Sequence, residues 1–414
     1  MRGPSGPRRG ADLRNLRIIE DGAVLILDGL IREVGPTRRV ENLAAARSAI
    51  EINASGRVVM PGFVDCQTHL LAGGPRLLDY EMALAGADPA EITKAGGGSQ
   101  AVFRETQSMS PAALEAQGVA LLKDFARHGV TTIEANSGCG ITEAAEIKIL
   151  RVLHAIEERP VSVVPVFLAP RFIPDGYRDS GDLLIEWLCS RMLPVLQRRK
   201  LVQFVSIACE DGVFSGEQTR QFLLRAAELG FWLKMSAGER ICPESLAMAV
   251  SAGAVSIEHI GRLDAVSASA LAASATVATL LPGPVFHGKQ GIWPSARDMI
   301  DRGVAMALGT GFDPQTSPTL NMQMILSLAC REMEMTPAES ISAATMNAAC
   351  AIRRENAVGS LEFGKWADIL ILSVPDYREI PYHFGVNQVE TVLKRGQIVY
   401  QRSEVVCPAS GVRA

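Results

Sequence analysis

Two polar side chains at the end of one short apolar segment have a spacing that suits metal chemistry. Gln67 and His69 stand two residues apart at the end of the segment Val64–His69. In a β-strand, residues i and i+2 point to the same face, so two histidines at this spacing can hold one cation. Here the first position carries a neutral carboxamide, which is a poor zinc ligand beside imidazole. A cation at this strand end would therefore meet one imidazole in place of two.

Such a strand end needs a scaffold that brings several others beside it. Apolar runs of strand length alternate with helical patterns through the middle of the chain, as expected for parallel strands buried on both faces. Eight such units predict an α/β fold, a closed (β/α)8 TIM-like barrel with its chemistry at the carboxyl ends of the strands. The predicted strands are Arg57–Asp65, Val130–Ala135, Val161–Ala169, Phe204–Cys209, Trp232–Ser236, Ala254–His259, Thr276–Leu281 and Ala305–Gly311.

Several helices between these strands carry start signals. Ser110 and Ser317 each precede a proline, which predicts a serine cap with proline at the first helical position. Ser215 and Thr336 are each followed three residues later by Gln or Glu, which predicts capping boxes.

The two ends of the chain show short β patterns separated by turns. Asp28-Gly29 lies between two such runs, which is a hairpin signal, and Ala367–Leu372 and Val389–Tyr400 read as strands. We therefore predict a small β-sandwich domain built from both termini, residues 1–60 and 353–403. The barrel is predicted at 61–352 and a disordered tail at 404–414.

Composition excludes several classes of protein. The net charge is -4 and no basic run stands out, so no nucleic-acid partner is predicted. No stretch reaches the roughly 18 apolar residues of a membrane span. Eight cysteines are scattered without a C-x-x-C pair, which predicts reduced thiols and a cytoplasmic protein.

Seven stretches, in order along nearly the whole chain, resemble the imidazolonepropionases of the metal-dependent amidohydrolase superfamily. These stretches are Pro61–His69, Gly96–Gly98, Arg127–Thr132, Leu280–Gly283, Ala296–Asp301, Gly359–Asp368 and Ile380–Asn387. The resemblance implies hydrolysis of a C–N bond in a cyclic amide by water activated on one Zn²⁺ or Fe ion. It also implies a possible homodimer, and a further short strand ahead of Arg2.

The resemblance implies four metal ligands, and this chain departs from that set at three positions. The strand-one histidine pair falls on Gln67 and His69, the strand-five histidine on Ser236, and the strand-eight aspartate on Gly311. Catalytic zinc sites normally use three protein ligands, so we expect no tightly bound metal here. Metal-dependent hydrolysis is then lost or strongly attenuated.

The implied proton-handling and substrate positions are partly retained. The resemblance implies that His259 and Glu239 are catalytic residues and that Arg76 faces the substrate carboxylate. We therefore expect a pocket for a small anion around these three residues and Arg171. The positions implied to contact substrate are Arg76, Cys139, Arg171, Asp313 and Gln315.

Three questions stay open at this point. Asp313 lies two residues beyond Gly311, so it replaces the missing aspartate only after a rearrangement. Cys139 is either a nucleophile working with His259 or a small loop residue in place of a tyrosine. Arg76 and Arg171 either bind an anion or form ion pairs with Glu239 or Asp313. The rival functions are therefore a hydrolase with altered or metal-free chemistry and a non-catalytic partner of an intact relative.

Overall fold

A computed structural model of the protein describes residues 6–140, 142–170, 181–209, 213–238, 243–288 and 292–402. Fourteen strands lie within these ranges. They are β1 Gly22–Leu27, β2 Leu30–Pro36, β3 Val58–Pro61, β4 Phe63–Asp65, β5 Val130–Asn136, β6 Ser162–Leu168, β7 Phe204–Ala208, β8 Trp232–Ser236, β9 Ser256–Glu258, β10 Val277–Leu280, β11 Met306–Leu308, β12 Ile369–Leu372, β13 Val389–Lys394 and β14 Gln397–Gln401.

The α-helices of the same ranges mostly follow barrel strands. They are α1 Thr37–Glu41, α2 Leu77–Leu84, α3 Pro89–Lys94, α4 Gly98–Ser108, α5 Pro111–Arg127, α6 Glu143–Ala155, α7 Gly181–Trp187, α8 Leu193–Arg199, α9 Gly216–Glu228, α10 Pro243–Ser251, α11 Ala265–Ala272, α12 Pro282–Gly288, α13 Ala296–Asp301, α14 Met322–Glu332, α15 Pro337–Ser342, α16 Ala348–Ala351 and α17 Glu379–Tyr382. Within the described ranges, no helix has both the length and the apolar character needed to cross a lipid bilayer.

The predicted barrel is confirmed. Strands β4 to β11 form one parallel eight-stranded sheet in chain order, so each strand pairs with its sequence neighbour. The sheet closes between its first and last strands through a parallel bridge from Thr68 to Phe312, where the His69 amide donates to the Phe312 carbonyl at 2.7 Å. Closure places the ends of strands one and eight side by side.

One predicted strand is in fact two strands of different sheets. The predicted strand Arg57–Asp65 breaks at Gly62, so that β3 joins the small domain and β4 opens the barrel. A Cβ atom at Gly62 would lie 2.2 Å from the Thr131 hydroxyl oxygen. Only glycine fits this close crossing of two chain segments, and this contact explains where the strand divides.

Three of the four predicted helix caps are confirmed. Ser110, Ser215 and Thr336 each accept a hydrogen bond from the backbone three residues ahead. The cap predicted at Ser317 is wrong: helix α14 begins later and is capped by Asn321, while Ser317 pairs with Asp313 through the backbone. That backbone pairing extends the turn after strand eight and delays the helix.

The small domain contains a two-stranded sheet, β1–β2, and a four-stranded antiparallel sheet in the order β14-β13-β12-β3. The predicted hairpin at Asp28-Gly29 is present, with both residues at positive φ. An apolar cluster lies between the sheets, and it contains Ile31, Ala367, Ile369, Ile371 and Leu393.

The first described residues, which belong to the range 1–60 predicted for the small domain, pack against the barrel. Arg9 donates to the carbonyl oxygens of Ala272, Ser274 and Gly303, and Leu13 is fully buried in the main core. Arg14 forms an ion pair with buried Glu339 at 2.9 Å. This segment therefore straps the barrel near the amino ends of its strands.

Candidate active site

Gln67 at the end of strand one is buried and bonded to its neighbour on strand two. Its Oε1 accepts a hydrogen bond of 2.5 Å from Asn136 Nδ2, and the side chain is only 2% exposed. Asn136 also donates to Glu134 Oε1 at 2.9 Å. The oxygen that could face a metal is therefore already used to join two strand ends.

Gly311 at the end of strand eight stands where the resemblance implies an aspartate, and a side chain fits tightly there. Its φ is +60°, a backbone conformation that favours glycine, and a Cβ would lie 3.1 Å from Pro284 Cγ. Pro284 belongs to α12, which follows strand seven. Aspartate at this position would therefore need both a backbone change and a shift of the neighbouring loop.

Ser236 ends strand five and is buried, and His69 is 8% exposed. At the four implied ligand positions, Gln67 offers a carboxamide, His69 an imidazole and Ser236 a hydroxyl. Gly311 has no side chain to offer. Among the described residues, no group of three or more His, Cys, Asp or Glu side chains could hold a metal ion. This donor set does not fit a catalytic Zn²⁺ or Fe ion.

Beneath these positions, an ionic cluster crosses the inside of the barrel. Lys234 of β8 contacts Glu134 of β5 and lies 2.9 Å from Glu258 Oε1 of β9, and all three side chains are essentially inaccessible to solvent. Together with Asn136 and Gln67, the cluster forms one polar chain from strand six to strand one. Sequence reasoning missed it, although charged residues in the middle of apolar parallel strands could have signalled it.

Burial and neighbouring charges act in opposite directions on this cluster. Burial raises the pKa of Glu134, and the nearby Glu258 raises it further, while Lys234 opposes both. Burial disfavours the Lys234 ammonium, but the two carboxylates outweigh it and raise the pKa of Lys234. Lys234 is therefore held as a cation and is unsuited to act as a neutral amine nucleophile.

Asp65 joins strand one to strand eight through buried hydrogen bonds. It accepts from the Thr310 amide at 3.0 Å and from the Thr310 hydroxyl at 2.5 Å. Burial raises the pKa of Asp65 to about 7, although the Thr310 hydrogen bonds favour the ionised form. Asp65 therefore helps to close the barrel, and burial makes its ionised form energetically costly.

Arg76 is engaged by carboxylates of its own loop. It immediately precedes α2 and donates to both oxygens of Asp79, at 3.1 and 3.2 Å, with Glu105 at 4.0 Å. Neither Asp79 nor Glu105 was among the ion-pair partners that the sequence suggested, and one of those suggested partners, Glu239, lies outside the described residues. The spacing of three residues between Arg76 and Asp79 was the available signal.

The loop after strand eight uses its polar residues locally. Asp313 Oδ1 accepts from the amides of Gln315 and Thr316, at 2.8 and 3.0 Å, which closes a tight turn. Gln315 Oε1 accepts from Ser99 Oγ at 3.0 Å. Asp313 therefore holds a turn together, an arrangement that does not bring it to the position of Gly311.

Cys139 lies in the loop after strand two and is 5% exposed within the main apolar core. Glu146 holds this loop by accepting from the amides of Gly138 and Gly140 at 3.0 and 2.5 Å. Such burial favours a packing role for Cys139 over a nucleophilic one.

His259 after strand six is half-buried at φ +56°, an uncommon conformation for a residue with a Cβ atom.

Two predicted site residues, Arg171 and Glu239, lie outside the described residues, as does the tail 404–414. Within the described part, the structure brings Gln67, His69, Ser236 and Gly311 to the carboxyl end of the barrel.

Comparison with known proteins agrees with this architecture. Residues 58–399 match the amidohydrolase family. The imidazolonepropionase of Alkaliphilus metalliredigens is 37% identical, over 98% of this chain and 96% of that protein. The imidazolonepropionase of Brevibacillus brevis is 40% identical, over 96% of this chain and 94% of that protein.

Solved structures share the fold at much lower identity. The 5-methylcytosine deaminase of Klebsiella pneumoniae superimposes with a TM-score of 0.70 at 17% identity, covering 92% of this chain and 95% of that chain. A zinc-bound adenosine deaminase of Xanthomonas campestris gives a TM-score of 0.68 at 16% identity, covering 93% and 90%. These similarities extend over both the barrel and the small β domain.

Proposed function

Since this chain is an imidazolonepropionase-like member of the amidohydrolase family, we propose that its metal-dependent hydrolysis is lost or strongly attenuated. The barrel mouth then serves as a pocket for a small anion. The observation that carries the proposal is the donor set at the four implied ligand positions, where His69 alone offers an imidazole.

Two further observations support the loss of the metal site. The Gln67 oxygen is committed to Asn136, and Pro284 fills the space beside Gly311. Both features are built into the packing, so a single reverse substitution does not recreate the site. In the family reaction, bound metal lowers the pKa of water and makes hydroxide available at neutral pH. Without that ion, no metal-activated water is available as the nucleophile, and His259 is left without a reaction partner.

The anion pocket rests on Arg76 and Arg171. Arg76 already balances Asp79, so an entering carboxylate must compete with that ion pair. This competition predicts weak binding of simple anions. Calorimetric titration of the full chain with propionate tests the anion pocket separately from the metal site. Arg76→Met should abolish the heat of binding. Equal binding to the variant would remove Arg76 from the pocket.

Metal analysis decides the central claim. The full-length chain is purified without chelators and its zinc and iron are measured, with an active imidazolonepropionase as the positive control. We expect far less than one equivalent per chain and no ring opening above background. A metal that binds the folded state would raise the melting temperature, and its removal would lower it. Since we expect no bound metal, neither ZnCl₂ nor EDTA should change the melting temperature. Near one equivalent of metal, removed by His69→Ala, would overturn the proposal.

A further inference from the structure

The segment after strand one contains a helix with an inverted pattern of burial. In α2, the one buried residue is Asp79, whereas Leu77, Leu78 and Leu84 are 74%, 58% and 48% exposed. Helix α3 buries no residue at all. Hydrophobic burial, the main force that fixes helices to a protein, therefore contributes little to holding this pair.

Within the part of the chain that the structure describes, two contacts tie α2 to other segments. Asp79 Oδ2 accepts from the Gly98 amide at 2.8 Å, at the start of α4. The Tyr80 ring stacks on His287 of α12, with centroids 5.2 Å apart and planes 16° from parallel. This second contact places α2 against α12, which follows strand seven, at the carboxyl end of the barrel.

The far end of α4, by contrast, is firmly anchored. Lys148 donates to the carbonyl oxygens of Gln107 and Met109 at 2.7 and 2.8 Å. Gln107 in turn donates to the Gly140 carbonyl at 2.6 Å, in the loop after strand two. The second half of α4 also buries Val102, Phe103 and Thr106. One side of the segment is therefore fixed while the other is held by two isolated contacts.

Glycines lie at both ends of the weakly held part. Gly73 and Gly74 precede it, and Gly96 to Gly98 follow it. Gly98 has a φ of +73°, and a Cβ at Gly97 would lie 2.4 Å from Asp79 Oδ1. These positions permit the backbone rotation that a hinge needs, and Gly97 also permits the Asp79 contact.

We infer that residues 77–94 form a hinged lid over the barrel mouth, latched by Asp79 to Gly98 and by Tyr80 to His287. The lid controls access to the mouth whether or not any hydrolysis survives. Arg76, which pairs with Asp79, then belongs to the base of the lid as well as to the mouth.

Hydrogen exchange followed by mass spectrometry tests the lid on the full chain. Amides of α2 and α3 should exchange much faster than those of α5. Tyr80→Ala should speed their exchange by about two- to tenfold, the effect of losing one aromatic pair, without changing α4 beyond residue 104. Leu84→Ala, on the same helix but outside the latch, is the matched control and should leave exchange unchanged.

A second variant addresses the other latch. Gly97→Ala places a methyl group against Asp79 and should loosen α2 and α3 in the same local manner. The lid is overturned if α2 and α3 exchange as slowly as α5, or if neither variant changes their exchange. Protection that rises with protein concentration, together with a dimer mass in sedimentation, would also overturn it by assigning the exposed leucines to a contact between copies.

Discussion

The inside of the barrel and its rim have opposite character. Inside, Lys234 and two glutamates form a fully buried ionic cluster that spans three strands. At the rim, three of the four ligand positions that the resemblance implies hold Gln67, Ser236 and Gly311, none of which carries a charge. A buried charge is tolerated only when its partners are present, so the cluster is constrained by stability. The neutral rim side chains Gln67 and Ser236 carry no charge that needs a buried partner, so that constraint does not act on them.

This contrast predicts its largest effect at Lys234. Lys234→Met leaves Glu134 and Glu258 buried without a cation, and breaking a buried ion pair costs about 3–5 kcal/mol of unfolding free energy. Urea denaturation at pH 7 measures the loss. Lys123→Met, an exposed lysine on α5, is the matched control and should change stability by less than about 0.5 kcal/mol.

The same variant also separates charge from packing. Combining Lys234→Met with Glu134→Gln and Glu258→Gln removes all three charges at similar volume, so much of the lost stability should return. If the triple variant is as unstable as the single one, the cluster is needed for shape and the contrast with the rim fails.

The second effect concerns Asp65, where rim and interior meet. Its folded pKa of about 7 lies above the unfolded value near 3.8, so ionisation opposes folding. The contribution of Asp65 to the free energy of unfolding is fully present below about pH 4 and falls by a few kcal/mol as the pH rises to about 7. Asp65→Asn keeps an acceptor for the Thr310 amide and should flatten this fall. Denaturation midpoints of both proteins from pH 4 to 8 measure the difference, and parallel curves would contradict the assignment.

Sequence reasoning succeeded where a local pattern fixes the structure. Buried parallel strands are continuous apolar runs, so strand β8 was predicted residue for residue and most others to within two. Gln67 and Gly311 were singled out because the family resemblance places metal ligands at these strand ends. These signals are local, because strand periodicity and helix caps depend on neighbouring residues.

What the sequence left unpredicted depends on contacts between distant segments. The Arg57–Asp65 strand divides because Thr131 crosses at Gly62, and Arg76 pairs inside its own loop with Asp79, a partner that the sequence did not suggest. Lys234 was visible, but its partners lie 100 and 24 residues away. The hydrophobic pattern likewise did not predict that α2 exposes its leucines, since the burial of a helix depends on the segments packed against it.

A third, smaller effect tests the rim directly. Gln67→His restores the family's histidine but removes the hydrogen bond from Asn136, at a cost of about 1–2 kcal/mol. Because Ser236 and Gly311 still supply no strong ligand, ZnCl₂ should not raise the denaturation midpoint. A zinc-dependent rise in the variant, absent from the parent, would mean that the rim is one substitution away from a metal site.

The smallest effect is expected at an ion pair with the same chemistry as the buried cluster but a different environment. Arg302 bonds both oxygens of Asp298 at 2.8 and 2.9 Å, and both side chains are nearly half exposed. Because water screens the charges and hydrates each partner alone, Arg302→Ala should cost at most about 0.5 kcal/mol. Measured beside Lys234→Met under identical conditions, it isolates burial as the cause of the difference. A comparable loss in both variants would show that burial does not distinguish the interior cluster, and the contrast between interior and rim would lose its physical basis.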